Sequence, residues 1–514
     1  MVWPYVWRCY IYWPAKRRKF QNFIGAALNS LSIRYLLMPF IMRSLFIAFI
    51  CFALSSATFA QSRQQLKTDS VFALVQKFFN AKQADSLYAL GGEHFQRTLS
   101  PGAFKSVVDQ QLFPLNGIKG ASLISFVNNK VSTYKLIFDA VTLQLQMSLD
   151  QNNKLELFLF QPFTQITADK LTTAATTNKL LSPMDKQIEL VVRPYIQKAN
   201  TVGLSVGVLK DGKISTYSYG ETTKGNNQLP TPNTIFEIGS ITKTFTATLL
   251  AYYVNEGKVK LTDPIIKYLP DSVAKNPALK PVTLQSLSNH TSGFSRVPDN
   301  LDFSTADAAL NPYKNYNKQQ LFAYLKTCKL NSLPGERYDY SNLGVGLLGT
   351  ILSQVSGKTF EQMVTDIICK PLMMQSTVQH LSPARQTNFA TVYNTTGNVT
   401  PAWDFDVLAP CGALHSSVND LLTYVKVNMS PPAGKLGKAL ELTHHITFSK
   451  DAKLGLAWHI ILVDGIEYYF HNGGTYGSSS FLAFNTQKNL AVVILSNAAE
   501  STDAIGTGIL KALQ

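Results

Sequence analysis

The hydrophobic pattern changes period along the chain, and the changes mark its units. Val71-Phe72-Ala73-Leu74-Val75-Gln76-Lys77-Phe78-Phe79 spaces its apolar residues for one face of a helix, and helical patterning continues through Ser86 to Leu112. The period then becomes two: Tyr134, Leu136 and Phe138; Val141, Leu143, Leu145, Met147 and Leu149; Leu155, Leu157 and Leu159. Asp150-Gln151-Asn152-Asn153-Lys154 is the turn between the last two strands. Helices followed by a curved antiparallel sheet predict a small α+β accessory domain over residues 61–165. The Thr/Ala-rich stretch Thr167 to Asn178 predicts a linker, bounded at 166–182.

A larger unit over 183–514 has a different layout. Strands are predicted at 202–209 and 213–219, joined by the hairpin signal Asp211-Gly212. A helix follows from Lys243 to Asn255, with Phe245, Leu249, Tyr252 and Tyr253 at helical spacing. A largely helical and loop region runs from about 245 to 430. Strands return at Leu454 to Val463, Ile466 to Phe470, Ser479 to Asn485 and Leu490 to Leu495, before a C-terminal helix. The sheet is thus assembled from both ends of the unit with helices inserted between, an α+β or α/β arrangement of an antiparallel sheet flanked by helices plus a helical subdomain. A site belongs in the groove between sheet and helical region.

Candidate chemistry falls in that groove. Ser240-Ile241-Thr242-Lys243, Tyr340-Ser341-Asn342 and His471-Asn472-Gly473 follow one another along the chain. S-x-x-K also occurs at Ser132 and Ser272, and Y-x-N at Tyr313-Lys314-Asn315. Ser132 lies in an alternating stretch, where Ser and Lys three apart face opposite sides of a strand. Ser272 opens no long apolar helix. Ser240 ends the apolar approach Ile235-Phe236-Glu237-Ile238-Gly239 and starts a helix, so its hydroxyl meets the positive end of the dipole and free N–H groups. Taken alone, it would read equally as an N-cap serine. Lys243 lies one turn on, on the same face, within reach of the serine proton. Tyr340 and Asn342 sit between the turn-rich Pro334-Gly335-Glu336 and the apolar helix from Leu343 to Leu352, whereas Tyr313 lies in a polar, surface-like stretch. Gly473 and Gly474 leave a bare backbone edge against which a substrate can lie.

These segments resemble the serine penicillin-recognising family: class C β-lactamases, their DD-peptidase relatives and related esterases. Phe236-Glu237-Ile238-Gly239 is similar to the lead-in of its first motif. Leu287-Ser288-Asn289-His290-Thr291-Ser292-Gly293 resembles its L-L-x-H-T-S-G segment. Pro410-Cys411-Gly412-Ala413-Leu414-His415-Ser416-Ser417 resembles P-x-G-G-L-x-S-T, with Ala413 for the second Gly. The resemblance covers roughly residues 185–510 and implies a β-lactamase-like catalytic domain. It implies Ser240 as the nucleophile of an acyl-enzyme, with Lys243 and Tyr340 sharing base and acid work. It further implies Asn342 on the substrate's acyl-side amide, the amides of Ser240 and Gly474 as the oxyanion hole, and His471 with Gly473 lining the site. His471 stands where dedicated β-lactamases of the family carry Lys. A neutral imidazole offers a substrate carboxylate less fixed charge, which leans the expectation from β-lactamase towards a DD-peptidase on cell-wall peptides, with esterase or D-amino-acid amidase next. A non-catalytic ligand sensor is the alternative of a different class. The substrate is a small peptide, amide or ester, and residues around 295–335 are expected to shape its pocket. The small domain is similar in pattern to cone-shaped, nuclear-transport-factor-like modules.

Other features narrow the field. Gly203-Leu204-Ser205-Val206-Gly207 fits G-x-S-x-G but continues as a strand into a hairpin, so Ser205 is expected to be structural. No H-E-x-x-H or C-x-x-C occurs, and the adjacent His444-His445 cannot face one metal, so neither metal nor cofactor is expected. Met42-Arg43-Ser44, the apolar Leu45 to Leu54 and Ser55 to Ala60 predict a secretory signal within a 1–60 leader, cut after Ala60. Export to the periplasm or beyond follows. Residues 1–41 suit a start codon placed upstream of Met42, or else a basic membrane-tethered extension. The leader holds seven basic residues and no acid, so the net charge of +15 becomes +8 without it. That balance, with no Arg-rich stripe, excludes nucleic acid as a natural partner. Cys328, Cys369 and Cys411 then remain, an odd and widely spaced set that makes no disulfide framework, with Cys411 expected as a small residue near the site.

Overall fold

The computed structural model describes residues 63–127, 130–163 and 174–514. The leader and the first part of the expected linker lie outside the described residues. The N-terminal unit begins with helix α1 (Arg63–Asn80), and the helical pattern after it is broken into short pieces by Gly91-Gly92 and Pro101, the last being α2 (Pro101–Val107). Four strands follow as an antiparallel meander: β1 (Gly120–Val127), β2 (Val131–Ile137), β3 (Thr142–Leu149) and β4 (Leu155–Pro162). β1 is one strand more than the alternation predicts. Its Leu123 and Ile124 are adjacent and both exposed, so no period-two signal arises. Phe72, Val75 and Phe79 of α1 pack on Tyr134, Leu136, Leu145 and Met147 of the sheet.

The larger unit starts at α3 (Pro183–Ile196), held by a capping box between Ser182 and Asp185. Residues 174–178, expected within the linker, are instead pinned to the sheet. The Thr177 amide donates to the Ser218 carbonyl at 3.0 Å and the Gly220 amide to the Ala175 carbonyl at 2.9 Å. The hairpin β5 (Gly203–Lys210) and β6 (Lys213–Gly220) turns at Asp211-Gly212, both at positive φ. The chain then passes the two-residue β7 (Phe236–Glu237), α4 (Thr242–Asn255), α5 (Leu284–Ser288), α6 (Asn342–Ser356), β8 (His415–Ser416), α7 (Val418–Met429) and α8 (Lys435–His444). It returns through β9 (His459–Val463), β10 (Ile466–Gly474), β11 (Ser479–Asn485) and β12 (Leu490–Ser496) to α9 (Asp503–Leu513).

The six long strands form one antiparallel sheet in the order β6-β5-β12-β11-β10-β9, so the first and last strands of the unit meet at its centre. Alternation sorts the two faces. Leu204, Val206, Val208, Val492 and Ile494 pack under Ile188 and Val192 of α3 and Ile505 and Ile509 of α9. Leu209, Val493 and Leu495 face the helical core built around Phe245, Leu249, Leu347 and Tyr424. Burial of this kind is worth roughly 1.5–3 kcal/mol per large apolar side chain. Two sequence expectations need correction here. The strand expected over Leu454–Val463 begins only at His459, with Leu454 reduced to isolated bridges. β10 runs four residues beyond the end expected at Phe470, so the third motif is part of the strand itself.

The two units touch through residues 299–337 of the larger one. The Ser100 hydroxyl donates to the Asp299 carboxylate and the Gln111 amide to the Phe303 carbonyl. Asn331 donates to the Arg97 carbonyl at 3.2 Å, and Arg337 pairs with Glu93 at 3.6 Å. Ser132 and Ser205 are buried strand residues, away from any helix start.

Candidate active site

Ser240 lies in a 3-10 turn, Gly239–Ile241, that leads directly into α4. Lys243 is one turn further and fully buried. Its Nζ donates to Ser240 Oγ at 3.0 Å and to the Cys411 carbonyl at 2.6 Å. The segment 410–414 is laced to α4 at two more points: Thr246 donates to the Pro410 carbonyl at 2.7 Å, and the Leu414 amide donates to Thr242 Oγ1 at 3.1 Å. Cys411 therefore serves the site through its backbone, and burial pushes its thiol pKa above the ordinary value.

Tyr340 stands over this pair, its ring centroid 4.9 Å from Lys243 Nζ. Ser341 points away and caps α6, accepting from the Gly344 amide at 2.8 Å and donating to the Ser295 carbonyl at 2.8 Å. The Asn342 amide nitrogen Nδ2 donates to the Tyr313 hydroxyl at 2.9 Å, while its buried Oδ1 has no partner. Exchanging the two atoms of an Asn amide preserves this contact with Tyr313 as donor, so either way one polar end is unspent. Tyr313 is a correction to the sequence expectation. It is buried, stacked on Phe405 at 4.8 Å, and belongs to the site wall rather than to a polar surface. The sequence hides this because Lys314, Asn315 and Asn317 beside it are exposed, while Asn311 is buried on partners at 402–404 that lie far along the chain.

The third wall is the end of β10. β9 pairs only as far as Phe470, so His471 to Gly474 are bonded on one side, to β11, and open on the other. A Cβ on Gly239 would sit 2.6 Å from the Gly474 amide nitrogen, which places that amide beside the nucleophile turn. A Cβ on Gly473 would lie 2.0 Å from the Ile238 carbonyl oxygen, so only glycine permits the approach. Asn472 points to the opposite face and donates to Asp503 at 2.9 Å.

His471 is fully buried, with Nδ1 2.7 Å from the Asn472 carbonyl, so Nδ1 carries the proton and Nε2 is an acceptor without a protein partner. Two further histidines converge on it. His459 lies 5.3 Å from His471 and 6.1 Å from His290 between ring centroids, and Tyr340 stacks on His290 at 4.3 Å. Burial, then the neighbouring imidazoles and the Lys243 amine, hold His290 and His471 far below the usual histidine value. His459, whose Nε2 is 2.9 Å from the Tyr338 hydroxyl, is lowered to about 4 by burial and Lys243. All three are neutral at physiological pH. His459 and Arg296, whose guanidinium lies 4.8 Å from the Tyr340 ring centroid, escape sequence reasoning because each is a single polar residue outside any motif. Among the described residues, no cluster of His, Cys, Asp or Glu could hold a metal ion. The geometry thus joins a half-buried hydroxyl, a buried amine, a phenol and a backbone N–H edge, which together can carry out acyl transfer.

A family model described as Beta-lactamase matches residues 188–514, and the chain belongs to that family. It is similar to a β-lactamase of Pseudomonas fluorescens, 29% identical over 344 residues that cover 60% of this chain and 92% of that protein. Protein flp of Staphylococcus aureus strain MW2 is 27% identical over 338 residues, covering 62% of this chain and 64% of its own length. Among solved structures, a β-lactamase/D-alanine carboxypeptidase from Pseudomonas syringae superposes with TM-score 0.58 and 26% identity, over 65% of this chain and 98% of that one. A class C β-lactamase does so at 0.58 and 27%, over 66% and 98%. The catalytic unit therefore has a β-lactamase-like serine hydrolase fold. The family match begins inside α3 and leaves the N-terminal α+β unit outside it.

Proposed function

We propose that the protein is an exported hydrolase that opens peptide, amide or ester bonds through an acyl-enzyme on Ser240, with cell-wall peptides of the DD-peptidase type as its principal substrates. The observation that carries this is the 3.0 Å contact of Lys243 Nζ with Ser240 Oγ beneath the ring of Tyr340. Lys243 and Tyr340 take the hydroxyl proton as Ser240 attacks the carbonyl carbon, and return it to the departing nitrogen or oxygen. The amides of Ser240 and Gly474 hold the oxyanion, a term worth about 3–4 kcal/mol per donor in comparable sites. Water then attacks the ester by the same proton route in reverse.

A buried, neutral His471 in place of an ammonium supports a peptidase rather than an efficient β-lactamase, and favours esterase activity as the second reading. The name of the Pseudomonas syringae relative joins both lactam and D-alanine carboxypeptidase chemistry. The Met42–Ala60 segment supports export, and a mature N-terminus at Gln61 is the expected result of terminal sequencing. The central experiment is intact mass after incubation with a penicillin, beside Ser240→Ala. A stable adduct on the wild type alone is expected. Drug consumed without an adduct would make the protein a β-lactamase; no adduct and no consumption would overturn penicillin recognition.

A further inference from the structure

Between residues 174 and 514 there are four arginines, and three have conventional partners. Arg193 pairs with Glu189 at 2.6 Å, Arg337 with Asp339 at 3.0 Å, and Arg385 donates to the Gln375 carbonyl at 3.2 Å. The guanidinium of Arg296 has neither an ion pair nor a hydrogen bond among the described residues, although it is half-buried inside the catalytic groove. Its backbone carbonyl accepts from the Asn342 amide at 2.8 Å, so it rises from the same wall as Asn342. The groups that act most on nearby His290 are His459, Lys243, His471 and Arg296, and none of them is an acid.

The surroundings are those of a ligand subsite. The Asn342 side chain has one amide end spent on Tyr313 and the other unpartnered and buried. From Tyr313 an aromatic wall continues through Trp403, 5.4 Å away edge-to-face, to Tyr476, a further 4.7 Å on, at the turn after β10. A planar cation, an unspent amide and an apolar wall thus share one side of the groove. His471, near the end of β10, has no fixed charge. A guanidinium left without a carboxylate in a partly desolvated groove is matched, two N–H groups to two oxygens, by a carboxylate brought by the ligand.

We propose that Arg296 is the anion anchor of this site, and that its preferred acyl donors carry a carboxylate on the acyl side of the scissile bond, as a peptide with an acidic side chain would. This rests on the acyl-enzyme reading of Ser240, since that reading sets which end of the groove holds the acyl group. It moves charge recognition from the β10 edge to the wall that bears Asn342.

The test uses the full protein and two chromogenic esters of similar length, p-nitrophenyl hemiglutarate and the neutral p-nitrophenyl hexanoate. The wild type is expected to favour the anionic ester in kcat/KM by at least about tenfold, the discrimination of one charge-assisted pair. Added salt should reduce that ratio. Arg296→Gln should reduce it by about tenfold or more whatever the absolute rates, and Arg296→Lys should keep an intermediate ratio. A wild-type ratio at or below one, or a ratio unmoved in Arg296→Gln, overturns the anchor while leaving the Ser240 chemistry standing. If Ser240→Ala cleaves as fast as wild type, or neither ester is cleaved, the acyl-enzyme reading fails instead. The anchor is then decided by equilibrium dialysis of both esters against Ser240→Ala, with and without Arg296→Gln. Selective retention of the hemiglutarate that Arg296→Gln abolishes upholds it, and equal retention of the two esters overturns it.

Discussion

Replacing Glu237 tests whether the nucleophile turn and the end of β10 are held as one piece. Glu237 lies three residues before Ser240 and is 3% exposed. One carboxylate oxygen accepts from the Trp403 amide at 2.6 Å; the other accepts from the hydroxyls of Thr475 at 2.6 Å and Ser478 at 2.9 Å. Thr475 directly follows Gly474, so this side chain ties the segment bearing the nucleophile to the segment bearing the proposed oxyanion amide. Glu237→Ala leaves two buried hydroxyls and the half-buried Trp403 amide without an acceptor, each costing about 1–3 kcal/mol, the two hydroxyls less because they can turn. Loss of a buried charge recovers part of this, so a net destabilisation of about 3–5 kcal/mol is expected at neutral pH. A displacement of Gly474 by about 1 Å would slow acylation by about a hundredfold.

Glu237→Gln separates charge from shape. It keeps an acceptor for Trp403 but turns an N–H group towards Thr475 Oγ1, which already accepts from the amides of Gly477 at 3.1 Å and Ser478 at 3.0 Å. A cost of about 1–2 kcal/mol follows. Burial raises the Glu237 carboxyl pKa above its ordinary value, so the folded state favours its protonated form. Its contribution to stability is fully present below the unfolded value and is lost as pH rises through the folded one. The stability gap between wild type and Glu237→Gln should therefore be widest in acid and narrow as pH rises. Urea denaturation followed by tryptophan fluorescence, with acylation read by intact mass, measures both effects. A Glu237→Ala protein within about 1 kcal/mol of wild type and acylating within about threefold would refute the tie.

Four shorter tests address the rest of the groove. Tyr340→Phe keeps the ring stacked on His290 but removes the phenol, and should cut acylation by about 10²–10⁴-fold with an unchanged circular dichroism spectrum. His459, lowered to about 4 from 6.5, stabilises the fold fully above the unfolded value and loses that stability as pH falls through the window to about 4. The loss is of order 3 kcal/mol, and His459→Gln should flatten that part of a thermal-denaturation series between pH 4 and 8. Gly473→Ala would place Cβ 2.0 Å from the Ile238 carbonyl oxygen and should abolish acylation, whereas Gly474→Ala, with its nearest atom at 3.7 Å, should fold normally by the same melting assay. His471→Lys would bury a second amine near Lys243 with no acid to meet it, so a lower melting temperature, rather than a gain in penicillin turnover, is the expected result.

The parts of this fold visible in the sequence are those set by local rules. Gly203–Lys210 and Leu490–Ser496 read as short, largely apolar runs because both faces of the sheet are covered, each by a different helical layer. Ser240 and Lys243 are legible because residues three apart at a helix start share a face. What stayed hidden depends on partners distant in the chain. β1 is an outer strand whose exposed Leu123 and Ile124 carry no alternation. Residues 174–178 look like linker but are bonded to β6, and Tyr313 is buried beside the exposed Lys314, Asn315 and Asn317.

The charge character of the groove is the clearest case of information created by folding. His471 can be read from the sequence as a weaker cation than lysine, but its neutrality has a further cause. His290 follows α5, His459 opens β9 and His471 lies near the end of β10, and only the fold brings the three rings around Tyr340 and Lys243. Each imidazole is desolvated; His459 further lowers His290 and His471, and His471 further lowers His290. With Lys243 held by the Cys411 carbonyl and Ser240 rather than by a carboxylate, a further charge at 471 would be unpaired. Arg296, half-buried and without an ion pair or hydrogen bond among the described residues, is then the cation on which the proposed reception of a substrate's negative charge rests.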